Sequence, residues 1–147
     1  MPSWITDSMA IGGVGITPET WPDLVAKHRF TAILNLRGEF QDVFCPPLPQ
    51  VYLWLPVPDN TEPPPEQLLI GVHFIDTAVQ SKQRVLVHCK IGIGRSPTMA
   101  AAYLIWRGSL IDNAIETVTQ AADMVFVRSV ISRWTLEEFT AYLNRKG

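Results

Sequence analysis

The chain alternates short apolar runs with longer segments in which apolar residues recur every three or four positions. Three runs rich in strand-forming residues predict buried strands, at residues 31–36, 51–57 and 84–88. A shorter stretch at residues 4–13 predicts an edge strand or hairpin. Five amphipathic segments predict helices, at residues 18–30, 68–81 and 96–108 and after Ser109 and Thr135. This order predicts an α/β fold with a central, mainly parallel sheet of four to five strands flanked by helices.

The starts of the last two helices carry a further signal. Ser109 and Thr135 each precede an acidic residue by three positions. At that spacing a hydroxyl and a carboxylate accept hydrogen bonds from each other's backbone N–H groups. We therefore expect Ser109 and Thr135 to be the residues that cap these helices.

Length and composition are those of one folded domain spanning residues 1–147. A chain of 147 residues, 47% of them hydrophobic, can bury a single core, and a net charge of -2 is too small to indicate disorder. The same near-neutral charge provides no positive field for duplex nucleic acid, so we expect no bulk nucleic-acid binding. No apolar run reaches the length of a membrane span, and no basic and then apolar leader begins the chain. We expect a monomer without a membrane span.

The two cysteines, Cys45 and Cys89, stand in different surroundings and form no Cys-x-x-Cys pair. This pattern argues against a disulfide framework or a zinc cluster, and it indicates a reducing, cytoplasmic setting. Cys89 differs from Cys45 because it ends a predicted strand and is followed by glycines, an arginine and a predicted helix.

The segment from Cys89 to Arg95 has the features of an anion-binding loop. Gly92 and Gly94 permit a tight loop in which successive N–H groups converge on one point, and the following helix directs its first N–H groups there too. Arg95 offers a planar fork that can bind two phosphoryl oxygens. We therefore predict that a tetrahedral dianion binds to Cys89, Lys90, Ile91, Gly92, Ile93, Gly94 and Arg95.

These surroundings also favour the ionised form of the Cys89 sulfur, because positive charge and helix N-termini stabilise a thiolate. Cys89 is therefore the candidate nucleophile. The Ser96 hydroxyl stands where it can donate a hydrogen bond to this sulfur, which would stabilise the thiolate and help it to depart. For His88, which precedes the nucleophile, we expect a role in orienting the loop rather than in proton transfer.

The arrangement His-Cys-x5-Arg-Ser at residues 88–96 resembles the signature of the protein tyrosine phosphatase superfamily, and residues 86–97 are similar to its dual-specificity branch. Pro58-Asp59-Asn60, followed by a predicted helix and the strand leading to Cys89, resembles the acid loop of that family. The resemblance implies that Cys89 attacks phosphorus while Asp59 protonates the leaving oxygen, after which Asp59 activates water against the phosphocysteine. It implies neither a metal nor another cofactor.

The two catalytic assignments have structural alternatives. Cys89 is otherwise a buried structural cysteine at a strand end. Asp59 is otherwise a turn residue, because Pro-Asp-Asn is ordinary turn chemistry. The competing acids are, in order, Glu62 and Glu66, followed by Asp42 and Glu39.

Two further residues take their assignments from the resemblance. Some members of the superfamily protect the nucleophile by a reversible disulfide with a second cysteine, so Cys45 is either such a partner or a small buried hydrophobic residue. Some branches position the hydrolytic water with a glutamine, which has no counterpart in this sequence. Asp59 and Ser132 remain as candidates for that role.

The function that the resemblance implies is hydrolysis of phosphomonoesters on phosphorylated proteins or peptides, phosphotyrosine first and phosphoserine or phosphothreonine next. The chain is too short for the long recognition loop that deepens the pocket of tyrosine-specific relatives, which favours a shallow, permissive site. A phosphoinositide or an RNA 5′-phosphate is the alternative substrate for the same chemistry. A rhodanese-like sulfurtransferase needs neither Asp59 nor the His-Cys-x5-Arg spacing, and a phosphate-binding module without turnover does not need Cys89.

Overall fold

The computed structural model of the chain describes residues 2–12, 16–58, 61–89, 95–122 and 131–146. Its strands are β1 (Ser3–Trp4), β2 (Met9–Gly12), β3 (Ala32–Arg37), β4 (Val51–Val57) and β5 (Val85–His88). Its helices are α1 (Trp21–His28), α2 (Pro65–Gln80), α3 (Arg95–Trp106), α4 (Ile111–Ala122) and α5 (Arg133–Lys146). Strands and helices follow one another in the predicted order, and the α/β fold class is confirmed.

The described strands form one sheet in the order β1-β2-β5-β3-β4. β1 pairs antiparallel with β2, and the other pairings are parallel. The parallel strands therefore reach the same end of the sheet, at Gly12, His88, Arg37 and Val57. Because β5 ends at this carboxyl end and α3 begins at Arg95, the predicted phosphate-binding loop lies between a strand and a helix, as expected.

Each face of the sheet has its own core, because successive residues of a strand point to opposite sides. Leu34 of β3 belongs to the core packed by α2, α3, α4 and α5, which we call the four-helix face. Ile33 belongs to a smaller core beside α1, the α1 face. There Trp21 is fully buried, and its indole N–H donates to Pro47 O (2.6 Å). Residues 38–50, which join β3 to β4, thus close over the α1 face.

The bounds of the first two helices follow from local backbone chemistry. α1 is shorter than the predicted segment because Arg29 adopts a left-handed φ of 59° and its N–H donates to Val25 O. α2 begins at Pro65, where proline suits a first helical turn. Among the helices of the described segments, none is both long enough and apolar enough to cross a membrane.

The last two helices test the predicted caps. α4 begins at Ile111, two residues after Ser109. α5 begins at Arg133, so the prediction that Thr135 caps it was wrong. The cap is Ser132, whose hydroxyl oxygen accepts a hydrogen bond from Thr135 N–H (3.2 Å). Ser132 and Thr135 lie one turn apart and their hydroxyls are 2.7 Å from each other, so the earlier start satisfies both side chains.

Candidate active site

Cys89 continues β5 by one residue at the carboxyl end of the sheet. Its backbone N–H donates to Gly12 O (3.2 Å) at the end of the neighbouring strand β2, so the sheet fixes the main chain at this position. Its side chain is 2% exposed and belongs to the core of the four-helix face. The sulfur is therefore held by the sheet and directed toward the helix that follows the loop.

Ser96 contacts the Cys89 sulfur through two of its groups. Its backbone N–H donates to Sγ (3.3 Å), and its hydroxyl oxygen lies 3.2 Å from Sγ. This N–H belongs to the first turn of α3, whose donors have no partner within the helix. The hydroxyl also lies 3.4 Å from Gly12 O. With a thiol the hydroxyl can donate to Gly12 O, and with a thiolate it can turn its proton to the sulfur.

The guanidinium of Arg95 is 1% exposed and is held along one edge. Nη1 donates to Val57 O (2.6 Å) and to Glu39 Oε1 (3.0 Å), and Nη2 donates to Glu39 Oε2 (3.4 Å). Within the described segments, no acceptor partners Nε. The edge formed by Nε and Nη2 is therefore left to bind an anion, and a buried N–H without such a partner is costly.

Glu39 is the first functional residue whose place the sequence did not reveal. Its carboxylate binds the Nη1–Nη2 edge of the Arg95 guanidinium, and its side chain is 26% exposed. This contact orients the guanidinium and balances its charge. The two residues are 56 positions apart, and an isolated acid in a loop carries no signal for such a partner. The sequence analysis considered Glu39 only as a weak alternative to Asp59.

His88 and Asp42 form the second contact that was not foreseen. His88 Nε2 lies 2.6 Å from Asp42 Oδ2, and both side chains are fully buried. In β5 the side chain of His88 points to the face opposite Cys89, because successive residues alternate. His88 is thus placed behind Cys89, where it can orient the strand end. Asp42, a weak candidate acid in the sequence analysis, lies on the α1 face with it.

Tyr52 and Asn35 extend this contact across the α1 face. Asp42 N–H donates to the Tyr52 hydroxyl oxygen (3.0 Å), and Asn35 Nδ2 donates to the same oxygen (3.1 Å). The register of β3 and β5 pairs Asn35 with His88, so the two residues are neighbours in the sheet. Burial raises the pKa of Tyr52, the two donated hydrogen bonds oppose this shift, and the Asp42 carboxylate reinforces it.

Glu62 connects the segment after β4 with the start of α5. Its Oε1 accepts a hydrogen bond from the Thr135 hydroxyl (3.5 Å). Burial of the carboxyl raises the pKa of Glu62, and the hydrogen bond from Thr135 opposes the shift. The Ser132 hydroxyl is engaged in capping α5, and Ser132 N–H donates to Thr98 Oγ1 (3.4 Å) of α3. These contacts tie the candidate acid Glu62 to the helix that begins at Arg95.

Some of the predicted site lies outside the described residues. Asp59 is one such residue, and the rest are loop positions Lys90, Ile91, Gly92, Ile93 and Gly94. Near Asp59 in the chain, Val57 O accepts the Arg95 hydrogen bond, and Pro58 O accepts hydrogen bonds from the Thr61 N–H (3.2 Å) and hydroxyl (2.6 Å). Asp59 follows Val57 by two positions in the sequence.

Cys45 lies apart from Cys89. It packs against the core of the α1 face, and its thiol donates to Pro18 O (3.5 Å), whereas Cys89 belongs to the core of the four-helix face. No disulfide joins the two cysteines. Across the described ranges, no three His, Cys, Asp or Glu side chains converge as a metal site would require.

Comparison with known proteins places this chain in a family. The family model described as "Dual specificity phosphatase, catalytic domain" matches residues 14–140. Dual specificity protein phosphatase 5 of Homo sapiens is 34% identical over 84 residues, which cover 56% of this chain and 21% of that protein. Dual specificity protein phosphatase 4 of Homo sapiens is 30% identical over 105 residues, covering 70% and 26%. The chain thus spans about a quarter or less of the length of these relatives.

Solved structures agree with this placement. Tk-PTP in its active form has a TM-score of 0.78 at 22% identity, with 99% of this chain and 97% of that chain covered, which shows the shared fold. PTPMT1 in complex with PI(5)P has a TM-score of 0.76 at 25% identity, covering 97% and 96%. Since the family model spans most of the sequence and the fold agrees, the chain belongs to the dual specificity phosphatase family.

Proposed function

We propose that the protein hydrolyses phosphomonoesters on phosphorylated proteins or peptides, phosphotyrosine first and phosphoserine or phosphothreonine next. One observation carries the proposal. The Cys89 sulfur lies 3.3 Å from an N–H of the first turn of α3, and that helix begins with a fully buried arginine whose Nε has no acceptor in the described part of the chain. A nucleophile and an anion clamp at one helix N-terminus are suited to phosphoryl transfer.

In the first step the Cys89 thiolate attacks phosphorus and the bond from phosphorus to the leaving oxygen breaks. Asp59 gives its proton to that oxygen, so the product leaves as a neutral alcohol or phenol. The Nε and Nη2 groups of Arg95 bind two non-bridging oxygens, and Glu39 keeps the fork in that orientation. A phosphocysteine remains on the enzyme.

In the second step a water molecule attacks the phosphocysteine and gives a proton to Asp59, which is now the base. The bond between sulfur and phosphorus breaks, and inorganic phosphate is released. The departing thiolate accepts hydrogen bonds from the Ser96 N–H and the Ser96 hydroxyl, which stabilise the charge that returns to sulfur. The enzyme is thus restored without a change of oxidation state.

The choice of a protein substrate is supported by the relatives, which are named as dual specificity protein phosphatases. A phosphoinositide is the second candidate, because PTPMT1 was solved in complex with PI(5)P and shares the fold. Three large apolar side chains of residues 38–50, the segment that supplies Glu39, are also exposed: Phe40, Val43 and Leu48. A lipid substrate would bring an apolar surface to this part of the molecule.

The proposal is tested with the purified protein and four classes of substrate: phosphotyrosine peptides, phosphoserine and phosphothreonine peptides, phosphoinositides, and 5′-phosphorylated RNA. We expect phosphate release to be fastest from phosphotyrosine peptides and unchanged by a chelator. A faster reaction with a phosphoinositide would replace the protein substrate by the lipid. Absence of phosphate release from all four classes would overturn the hydrolase assignment. Transfer of sulfur from thiosulfate to cyanide would indicate a sulfurtransferase.

We also propose that residues 1–147 act as one catalytic domain that is monomeric and cytoplasmic. Cys45 and Cys89 are both thiols, the form that a reducing compartment maintains, and this supports the cytoplasmic setting. Light scattering coupled to size-exclusion chromatography should give the mass of one chain, and the mass of two chains would contradict the monomer.

A further inference from the structure

Arg37 ends β3 close to Arg95, and its main chain is fixed there. Its N–H donates to Asn35 Oδ1 (2.9 Å), and its carbonyl oxygen accepts a hydrogen bond from the Trp54 indole (2.6 Å). The preceding carbonyl oxygen, Leu36 O, lies 3.4 Å from Arg95 Nη1. Because a peptide oxygen lies about 2.8 Å from the next Cα, the Arg37 Cα is within about 6 Å of that guanidinium nitrogen.

The Arg37 side chain is a partly buried cation without an ion-pair partner in the described part of the chain. Its guanidinium carbon lies 5.1 Å from the centre of the Phe40 ring, and Phe40 is 63% exposed. Within the described ranges, Nε has no acceptor and no carboxylate pairs with the guanidinium. Stacking on an aromatic ring orients a guanidinium but leaves its charge and its N–H donors for an anion.

The two acids that follow Arg37 most closely in the chain are bonded to other groups. Glu39 pairs with Arg95 at 3.0 Å, and Asp42 lies 2.6 Å from His88. The charges of Glu39 and Arg95 largely cancel, so Arg37 adds positive charge at this end of β3. A partly buried charge without a partner is unfavourable, and a bound anion removes that penalty.

On these grounds, which rest on the proposed function, we propose that Arg37 forms a second anion subsite beside the phosphate-binding site. Its ligand is a second anionic group on the substrate peptide, either the carboxylate of an acidic residue or the phosphate of another phosphorylated residue. Arginine suits both, because its planar fork matches two oxygens of either group. An extended peptide advances about 3.3 Å per residue, so the short distance to Arg95 places the second group one or two positions from the residue that is hydrolysed.

The test uses three phosphotyrosine peptides that differ only two positions from the phosphotyrosine, where they carry Gln, Glu or phosphoserine. Loss of phosphotyrosine is followed by tyrosine fluorescence. We expect kcat/KM for the Glu or the phosphoserine peptide to exceed that for the Gln peptide about fivefold at low salt, the size of effect that a well-formed exposed ion pair has. The preferred peptide identifies the anion, and the ratio should fall toward one at high salt because salt screens the charges. Ratios near one for both peptides at low salt would overturn the proposal, whether or not any variant folds.

Variants of Arg37 separate a subsite from a structural role. Arg37→Gln removes the charge and keeps most of the side-chain stem, so the ratio of kcat/KM between the anionic and the Gln peptide should fall to about one. Arg37→Lys should retain part of the preference, because lysine keeps the charge without the fork. Arg107→Gln is the matched control and should leave the ratio unchanged, since Arg107 is 52% exposed and paired with Asp76 (3.5 Å). An equal loss of kcat/KM on all peptides in Arg37→Gln would show that Arg37 only supports its loop, and would overturn the proposal.

Binding without turnover separates the subsite from the proposed function. In a Cys89→Ser background, calorimetry should show the anionic peptide binding about fivefold more tightly than the Gln peptide, and Arg37→Gln should abolish the difference. The same preference in a protein whose wild type releases no phosphate would contradict the proposed function alone. Hydrolysis of all three peptides with equal kcat/KM would contradict the subsite alone. Faster hydrolysis of a phosphoinositide with a second ring phosphate, lost in Arg37→Gln, would overturn the peptide ligand in favour of a lipid headgroup.

Discussion

Two neighbouring residues at the end of β5, His88 and Cys89, point to opposite faces of the sheet and enter networks of different kinds. On the four-helix face, the Cys89 sulfur contacts the hydroxyl and the N–H of Ser96, two hydrogen-bond donors close to the N-terminus of α3. On the α1 face, His88 is bound to one buried carboxylate at 2.6 Å. The network around Cys89 can accommodate a change of charge on the sulfur. The network around His88 keeps one set of hydrogen bonds.

We call the part of the site on the four-helix face the reacting side and the part on the α1 face the holding side. The reacting side keeps groups that can change partners, such as the Ser96 hydroxyl and the Nε edge of Arg95. The holding side satisfies its main polar groups within the protein, through Asp42, Tyr52 and Asn35. Substitutions on the reacting side should therefore change catalysis far more than stability. Substitutions on the holding side should change stability more.

Cys89→Ser should produce the largest effect and the cleanest separation of the two sides. We expect kcat to fall by about 10⁴-fold or more, because no other group can form the covalent intermediate. Binding of tungstate or vanadate should persist, since the amide cradle and Arg95 remain. Kinetics with an aryl phosphate and calorimetry with the oxyanion measure the two effects, and Cys45→Ser is the matched control. Activity near that of the wild type would remove Cys89 as the nucleophile.

Asp59→Asn should produce the next largest effect. Proton donation contributes about 10²–10⁴-fold, so kcat on an alkyl phosphate should fall by that order and kcat on an activated aryl phosphate by less. The pH profile of kcat/KM should be a bell in the wild type and should lose its basic limb in the variant.

The comparison variant for Asp59 is Glu62→Gln. Burial raises the pKa of Glu62, which makes this carboxyl the competing proton donor. If Glu62→Gln removes the basic limb and Asp59→Asn leaves it, the acid is Glu62 and Asp59 is a turn residue. We expect the opposite result.

Glu39→Gln should have a smaller effect that still falls on the reacting side. Hydrogen bonds to charged groups contribute about 1.5–3 kcal/mol, so loss of the carboxylate that orients Arg95 should lower kcat/KM by about tenfold to a hundredfold. Glu137→Gln is the control, because Glu137 is exposed and pairs with Arg133 (3.4 Å) on α5. A change in kcat/KM of less than twofold for Glu39→Gln would show that the carbonyl oxygens of Val57 and Leu36 suffice to orient the fork.

Glu39 also marks the limit of what the sequence can predict. Cys89, Arg95 and Ser96 lie within eight consecutive positions, between a strand and a helix that both have clear patterns, so their meeting was predictable. Glu39 and Asp42 belong to the segment between β3 and β4, which has no periodic pattern, and their partners are 56 and 46 positions away. Their place depends on how this segment crosses the end of the sheet, and tertiary packing decides that.

The fold shows the same limit at a smaller scale. Alternation of strands and helices predicted a parallel sheet, but the order β1-β2-β5-β3-β4 depends on which strands meet after the helices pack. At α5, the acidic residue three positions after Thr135 predicted the wrong helix start; Ser132 caps the helix instead, and its N–H contacts Thr98 of the distant helix α3. Local propensity therefore predicted the existence of the elements better than their bounds.

Tyr52→Phe should have the smallest effect on catalysis and a clear effect on stability. The substitution removes the oxygen that accepts hydrogen bonds from Asp42 N–H and from Asn35 Nδ2, which leaves two donors without an acceptor at this position. We expect a loss of about 1–3 kcal/mol in the free energy of unfolding, measured by urea denaturation at pH 7, with kcat/KM falling less than in Glu39→Gln. Unchanged stability would show that both donors find other acceptors.

The pH dependence of stability gives the same residue a second test. Because the folded protein raises the pKa of Tyr52, the neutral hydroxyl is favoured more in the folded than in the unfolded chain. The resulting stabilisation is complete below the unfolded value of about 10 and is lost as the pH rises through the folded value. Wild-type stability should therefore fall above pH 10, and Tyr52→Phe should fall less steeply. Some fall should persist in the variant, because burial also raises the pKa of Tyr103. Equal slopes would mean that the Tyr52 hydroxyl ionises as easily in the folded chain as in the unfolded one, and they would contradict this prediction.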